Sequence, residues 1–341
     1  MRRLLGALIL IFGFAGAAAA QDLRLPLQQG KPDLALFVLE RTETQISEAG
    51  WQLLHLQGFL HQRGGAALQP LTSGQNLVPT LRHDPNVNDG IPSDHITLGG
   101  LRFRVDKDSR AKGALLPGLR YTQWTNYSYA PGARLRIAQS YAVEPEPVYG
   151  YHQAAATAHI CAEQPVADWT WMDACLSGSA AYDGIKTEYS LDSRLTARRI
   201  FNTAFGAQQA SFTIGRVTTQ DYGKAILQFD TTLLTEDHGM WSLGLTWGER
   251  VADENTLRQG ISLEWSGTLM ERDLTLGLSE IRTDGGALFG IAREDRRTRL
   301  SVVVPMRKFD IGAYIDRKRS TIDAYRGTSF GMDIRFRMNL L

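Results

Sequence analysis

The chain has 341 residues, with 37 Lys and Arg against 36 Asp and Glu, a formal net charge of +1, and two cysteines. That balance excludes the strongly basic surface of a nucleic-acid binder. A slightly negative mean hydropathy, with no late run of ~18 apolar residues, excludes a bundle of transmembrane helices. It leaves room for a membrane β-barrel, because half of each barrel strand faces water or a polar lumen.

The chain opens with Arg2 and Arg3, an apolar run over residues 4–15, and Ala18-Ala19-Ala20 before Gln21. This is the pattern of a cleavable secretory signal over residues 1–20, with an apolar stretch too short to span a bilayer as a helix. Export into an oxidising compartment makes a disulfide the expectation for Cys161 and Cys175. They flank a turn-like stretch at residues 163–168, and a hairpin centred near Asp168 would set them on neighbouring strands.

Residues 21–76 read as helical. Leu36 and Leu39, then Trp51, Leu54, Leu56 and Phe59, recur at helical spacing, punctuated by Gly30, Gly50 and Gly64-Gly65. The spacing from Trp51 through Gly58 to Ala66-Ala67 resembles a tetratricopeptide (TPR) helix pair, and a plain helical hairpin fits it equally well. Such repeats need about three units to bury a core. This TPR-like segment is therefore expected to pack against the rest of the chain, to plug it, or to borrow a partner.

From residue 77 to 341 the period changes to two. Met332, Ile334, Phe336, Met338 and Leu340 alternate with Asp333, Arg335, Arg337 and Asn339. Trp241, Leu243, Leu245 and Trp247 share one face, as do Ile261, Leu263 and Trp265, and Leu300, Val302 and Val304. In residues 96–103 the apolar parity flips at Gly99-Gly100, the mark of a bulge. Turn signals include Pro131-Gly132, Asp183-Gly184, Asp237-His238-Gly239 and Asp284-Gly285-Gly286. The strands are long for a soluble sandwich, and aromatic residues sit near their ends, as in the girdles of a membrane barrel. The expectation is an all-β transmembrane antiparallel barrel of about 14 strands, with 16 as the alternative, since single-chain bacterial barrels have even counts.

The polar face is charged. Asp230, Glu264, Asp310, Asp316, Asp333, Arg194, Arg335 and Arg337 fall on the expected lumen side. Such residues either fill a narrow interior with salt bridges or line a path for polar cargo.

Enzymatic signals are weak, and no enzyme, cofactor or metal is expected. His152, His159 and His238 fall in no metal-binding spacing. Residues 327–331 match G-x-S-x-G around Ser329, but a hydrolase elbow needs a helix afterwards, and here the two-residue rhythm continues.

The segment Asp84-Pro85-Asn86-Val87-Asn88-Asp89-Gly90 resembles the D-x-N-x-N segment that opens the C-terminal barrel of the surface lipoprotein assembly modifier (Slam) family. The stretch at residues 315–326, a charged strand followed by Ser320-Thr321-Ile322-Asp323-Ala324-Tyr325, is also similar. The likeness covers about residues 77–341, and Asp84, Asn86, Asn88 and Gly90 are its marker positions. It implies a translocator in the Gram-negative outer membrane, with periplasmic helices that meet a lipoprotein or secreted protein cargo. Outer-membrane lipids and the barrel-assembly machinery are the further partners it implies. A passive channel or an exopolysaccharide-export porin is the alternative.

Overall fold

A computed structural model describes residues 23–42, 46–88, 90–98, 101–288, 290–306 and 309–336. The signal segment, Gly99-Gly100, Arg337 and the last residues of the expected closing row lie outside them.

Fourteen antiparallel strands close into a barrel. They are β1 (Gln69–Asp84), β4 (Ala114–Ala130), β5 (Ala133–Glu144), β6 (Gln153–Ala167), β7 (Thr170–Tyr182), β8 (Thr187–Thr203) and β9 (Gly206–Thr219). They continue as β10 (Gly223–Leu234), β11 (Met240–Gly248), β12 (Thr256–Leu269), β13 (Arg272–Leu288), β14 (Ile291–Pro305), β15 (Phe309–Ser320) and β16 (Gly327–Phe336). Each pairs with its sequence neighbours in the barrel, and β1 meets β16 through Thr80, Leu81 and Arg82. Among the described residues, three helices come before them: α1 (Arg24–Gln28), α2 (Pro32–Thr42) and α3 (Glu48–Leu56).

Local chemistry sets the turns. Met270 and Glu271 take φ of 51° and 62°, as a two-residue hairpin requires, and Gly132 takes 71° in the β4–β5 turn. These turns, with 168–169, 204–205 and 235–239, gather at one end of the barrel. The opposite end carries the long connection from β1 to β4.

Three local expectations need correction. Residues 96–103 are not a bulged barrel strand. β2 (His95–Leu98) and β3 (Leu101–Arg104) form their own two-stranded hairpin inside the β1–β4 connection, so the flip in parity marks a reversal of the chain. Asp284-Gly285-Gly286 is not a turn: β13 runs through it with a register shift opposite β14, and Gly285, at φ 113°, absorbs the bulge. The barrel also begins at Gln69 rather than at residue 77. Residues 69–76 carry glutamine, serine and glycine where later strands carry leucine, so the alternation there is hard to see.

The outer wall is apolar. Leu243, Leu263, Leu278, Leu300, Ile315 and Phe330 are successive cross-strand partners from β11 to β16. Phe330 is 57% exposed and Leu300 56%. A continuous exposed row of this kind faces hydrocarbon rather than water. Near β1 the row is interrupted by Gln75, Gln123 and Gln139, themselves cross-strand partners. Their amides partly satisfy one another: Gln139 Nε2 donates to Gln123 Oε1 at 2.9 Å, and the Tyr121 hydroxyl donates to Gln75 Oε1 at 3.1 Å.

The compact core lies between the helices and one end of the barrel. Leu25, Leu34, Phe37 and Val38 pack with Trp171, Ile200, Ala207, Leu234 and Met240, all close to the short turns. Another face of α2, with Ala35 and Leu36, meets Leu53 of α3. The apolar side that a repeat stack would turn to a third helix is thus spent on the barrel.

Candidate functional site

The short-turn end of the lumen is occupied by α2 and the turn before it. Pro32 opens the helix, where its missing N–H costs nothing, and Asp33 follows in the first turn, where the helix dipole favours a carboxylate. Asp33 is 5% exposed by its side chain and pairs with Arg134 of β5 at 3.0 Å and with Arg198 of β8. Arg134 also pairs with Glu163 of β6, and Arg198 reaches Asp173 of β7 at 3.4 Å. Arg198 stacks over the Trp171 ring at 4.8 Å. A helix inserted in the lumen is thereby tied by one carboxylate to a charge network spread over four strands.

Neighbouring contacts fix the helix further. Gln29 Nε2 donates to Ser266 Oγ at 3.0 Å and to Thr275 Oγ1 at 3.1 Å, across the lumen on β12 and β13. The Phe37 ring meets Trp169 edge to face at 4.9 Å, and Trp169 Nε1 donates to Glu40 Oε2 at 3.1 Å. Gly132 N donates to Gly58 O at 2.9 Å, which holds the end of α3 against the β4–β5 turn.

Burial alone would push the Asp33 carboxyl up. The guanidiniums of Arg134 and Arg198 outweigh it and hold the group below the usual carboxylate range. Burial pushes the Lys31 ammonium down against the pull of Asp230, with Arg198 adding to the fall and Glu264 opposing it. The signs agree. Asp33 favours docking above its free pKa, and this is lost as pH falls through the depressed one; Lys31, lowered when docked, favours docking more as pH rises. The helix should therefore stay docked at neutral pH and loosen only below about pH 4, the ordinary carboxylate range. Protease accessibility of residues 23–42 followed against pH checks this.

At the other end, where the connections are long, the lumen opens into a cavity of about 1480 Å³. Most of its charges are paired. Arg82 bonds Glu144 at 2.6 Å and Asp84 at 2.9 Å; Arg293 bonds Asp295 at 2.8 Å, with Lys318 at 3.3 Å; Arg299 bonds Asp316 at 2.8 Å, with Arg297 beside it. Tyr314 lies under Arg299 at 4.2 Å, and its ring fills the space beside Gly331, where a Cβ would overlap it.

The sequence-expected residues divide between the two ends. Asp316 and Asp333 line the cavity. Asp230 accepts from Gln228 Nε2 at 2.8 Å, and both it and Glu264 act electrostatically on Lys31. Arg194 pairs with Asp192 in the wall. Asp310 lies near the short turns opposite Arg335 in register, and Arg337 is outside the described residues. Asp84, Asn86, Asn88 and Gly90 close the β1–β4 connection. Asp84 Oδ1 accepts from Asn86 N at 2.9 Å, Asn86 Nδ2 donates to Gly90 O at 2.9 Å, and Asn88 bridges Arg110 O and Lys112 N at 2.8 Å. The motif therefore follows the first strand rather than preceding the barrel.

Cys161 and Cys175 are direct cross-strand partners joined in a disulfide with Cα atoms 4.1 Å apart. His159 Nε2 lies 3.0 Å from Cys161 Sγ and Nδ1 2.6 Å from Ser177 Oγ, while His152 sits in the loop before β6 and His238 in the β10–β11 turn. Ser329 is in the body of β16, so its glycine pattern is a strand and not a nucleophile elbow.

No protein-family model matches the chain, and no curated protein matches it. Among solved structures it is similar to CdiB from Acinetobacter baumannii at 11% identity, covering 87% of this chain and 73% of that one, with a TM-score of 0.43. It is also similar to a substituted OccD1 (OprD) at 9% identity, covering 79% and 96%, with a TM-score of 0.41. A third is OpdL of Pseudomonas aeruginosa at 6% identity, covering 78% and 99%, with a TM-score of 0.41. The barrel itself is established by the pairing of its own strands.

Proposed function

We propose that the chain is an outer-membrane translocator that rests closed and opens when α2 leaves the lumen. Membrane barrels carry short turns on the periplasmic side and longer connections outside, which would place the helices in the periplasm and the cavity toward the cell surface. The observation that carries this reading is Asp33, a buried carboxylate on an inserted helix, tied to Arg134 and Arg198 of the wall. A passive channel has no use for such a stopper. A gated path does, and the resemblance noted in the sequence makes a lipoprotein or related protein the cargo. No nucleotide is available in the periplasm, so cargo folding outside the cell would drive passage.

The test has two arms. The full mature chain in planar bilayers is expected to conduct rarely, and a chain lacking residues 23–42 steadily; equal steady conductance from both would leave a passive channel. Deleting the gene is expected to reduce surface exposure of a co-encoded lipoprotein, and unchanged exposure of every such protein would remove the cargo.

A further inference from the structure

The outer wall carries a feature that transport through the lumen does not use. On β13, β14 and β15, Arg282, Arg296 and Arg319 stand side by side as direct cross-strand partners. Their parity is that of Leu278, Leu300 and Ile315, so they occupy the outer face, four residues along each strand from the apolar row. Arg317 fills the intermediate position on β15. Arg296 is 52% exposed and pairs with Glu280 at 2.6 Å; Arg282 is 45% exposed and pairs with Glu294 at 3.0 Å. Arg317 and Arg319 are exposed and have no acidic partner among the described residues. Like charges set directly opposite in a sheet repel and destabilise it. Glu280 and Glu294 each offset one of the three, and Arg319, with Arg317 beside it, is left without a counter-charge among the described residues.

We infer that this face binds the phosphate-bearing headgroup of a membrane lipid. A free anion would need the arginines alone. The apolar row on the same three strands, beyond the intervening Glu280, Thr298 and Arg317, adds a bed for acyl chains, and the two together match an amphiphile with phosphates above and hydrocarbon below. Guanidinium forks suit phosphate oxygens in bidentate geometry. At the long-connection end, this lipid belongs to the outer leaflet. The inference needs that end to meet a leaflet; it does not need the helix to gate.

The test uses the full mature chain in detergent, with bis-phosphorylated lipid A, the same lipid stripped of phosphate, and inorganic phosphate as probes. The phosphorylated lipid is expected to raise the thermal midpoint and to remain bound in native mass spectrometry, and the other two are not. An Arg282→Gln/Arg296→Gln/Arg319→Gln variant is expected to bind the lipid at least tenfold more weakly. Its midpoint without lipid should stay near that of the parent, because the relieved repulsion offsets the loss of two exposed ion pairs. Binding by the variant equal to the parent's overturns the proposal, as does equal binding of the stripped lipid. A shift from inorganic phosphate as large as that from the lipid also overturns it, since the face would then trap free anions only. If the triple variant does not fold, Arg319→Gln, which has no ion pair to lose, carries the same comparison.

Discussion

An Asp33→Ala barrel is expected to conduct where the parent does not. The substitution leaves Arg134 and Arg198 buried with one carboxylate fewer, and removing one member of a buried ion network costs about 3–5 kcal/mol. That is about two to four orders of magnitude in the balance between docked and undocked helix. The cost falls on docking, because Asp33 belongs to the helix while Glu163 and Asp173 remain to hold the two arginines within the wall. The barrel should therefore keep its unfolding midpoint while its open probability rises, and residues 23–42 should become open to protease. Arg136→Gln is the control. That side chain is 47% exposed and 3.7 Å from Glu163, so its loss should move conductance little. A closed, protease-resistant Asp33→Ala barrel would show that the apolar contacts of Phe37 and Leu34 hold the helix without the ion network.

The second large effect separates adjacent residues. Leu300 lies in the exposed apolar row, and Ser301 lines the cavity. An arginine on the lipid face costs about 2–4 kcal/mol at mid-bilayer, whereas lumen substitutions chiefly tune selectivity. Leu300→Arg is expected to lower barrel stability in lipid vesicles by about that amount, read by urea unfolding and by heat-modifiable migration on gels. Ser301→Arg should fold as the parent does and change only the ion preference of opened barrels. Equal losses from the two would mean that the outer face does not meet hydrocarbon.

The barrel was legible wherever one face is apolar over three or more alternate positions, as in β11, β14 and β16, because a pleated strand turns every second residue the same way. It was illegible in β1, whose outward Gln75 and Pro79 break the contrast, and at Gly285, where a bulge and a turn use the same residues. The Cys161–Cys175 pairing could be read because a hairpin fixes its own register once the turn is located. The plug could not. The apolar spacing of α2 was visible, but helical period does not say what a helix packs against. Asp33 looked like an ordinary first-turn acid, and its partners Arg134 and Arg198 are 101 and 165 positions away. The local bonds of Asp84, Asn86 and Asn88 fit the turn-forming chemistry of those residue types; their place after β1 is hidden in the sequence because residues 69–76 lack apolar contrast.

The disulfide has a consequence for how such a chain is made. It joins β6 to β7, strands that are consecutive and meet through a two-residue turn. Oxidation can therefore precede closure and needs no other strand in place. A bond from β1 to β16 would lock the finished cylinder, but this one cannot. It stamps one hairpin early, so that any machine threading the polypeptide must admit two strands abreast at that point, and reducing agent added after insertion should leave the ring intact.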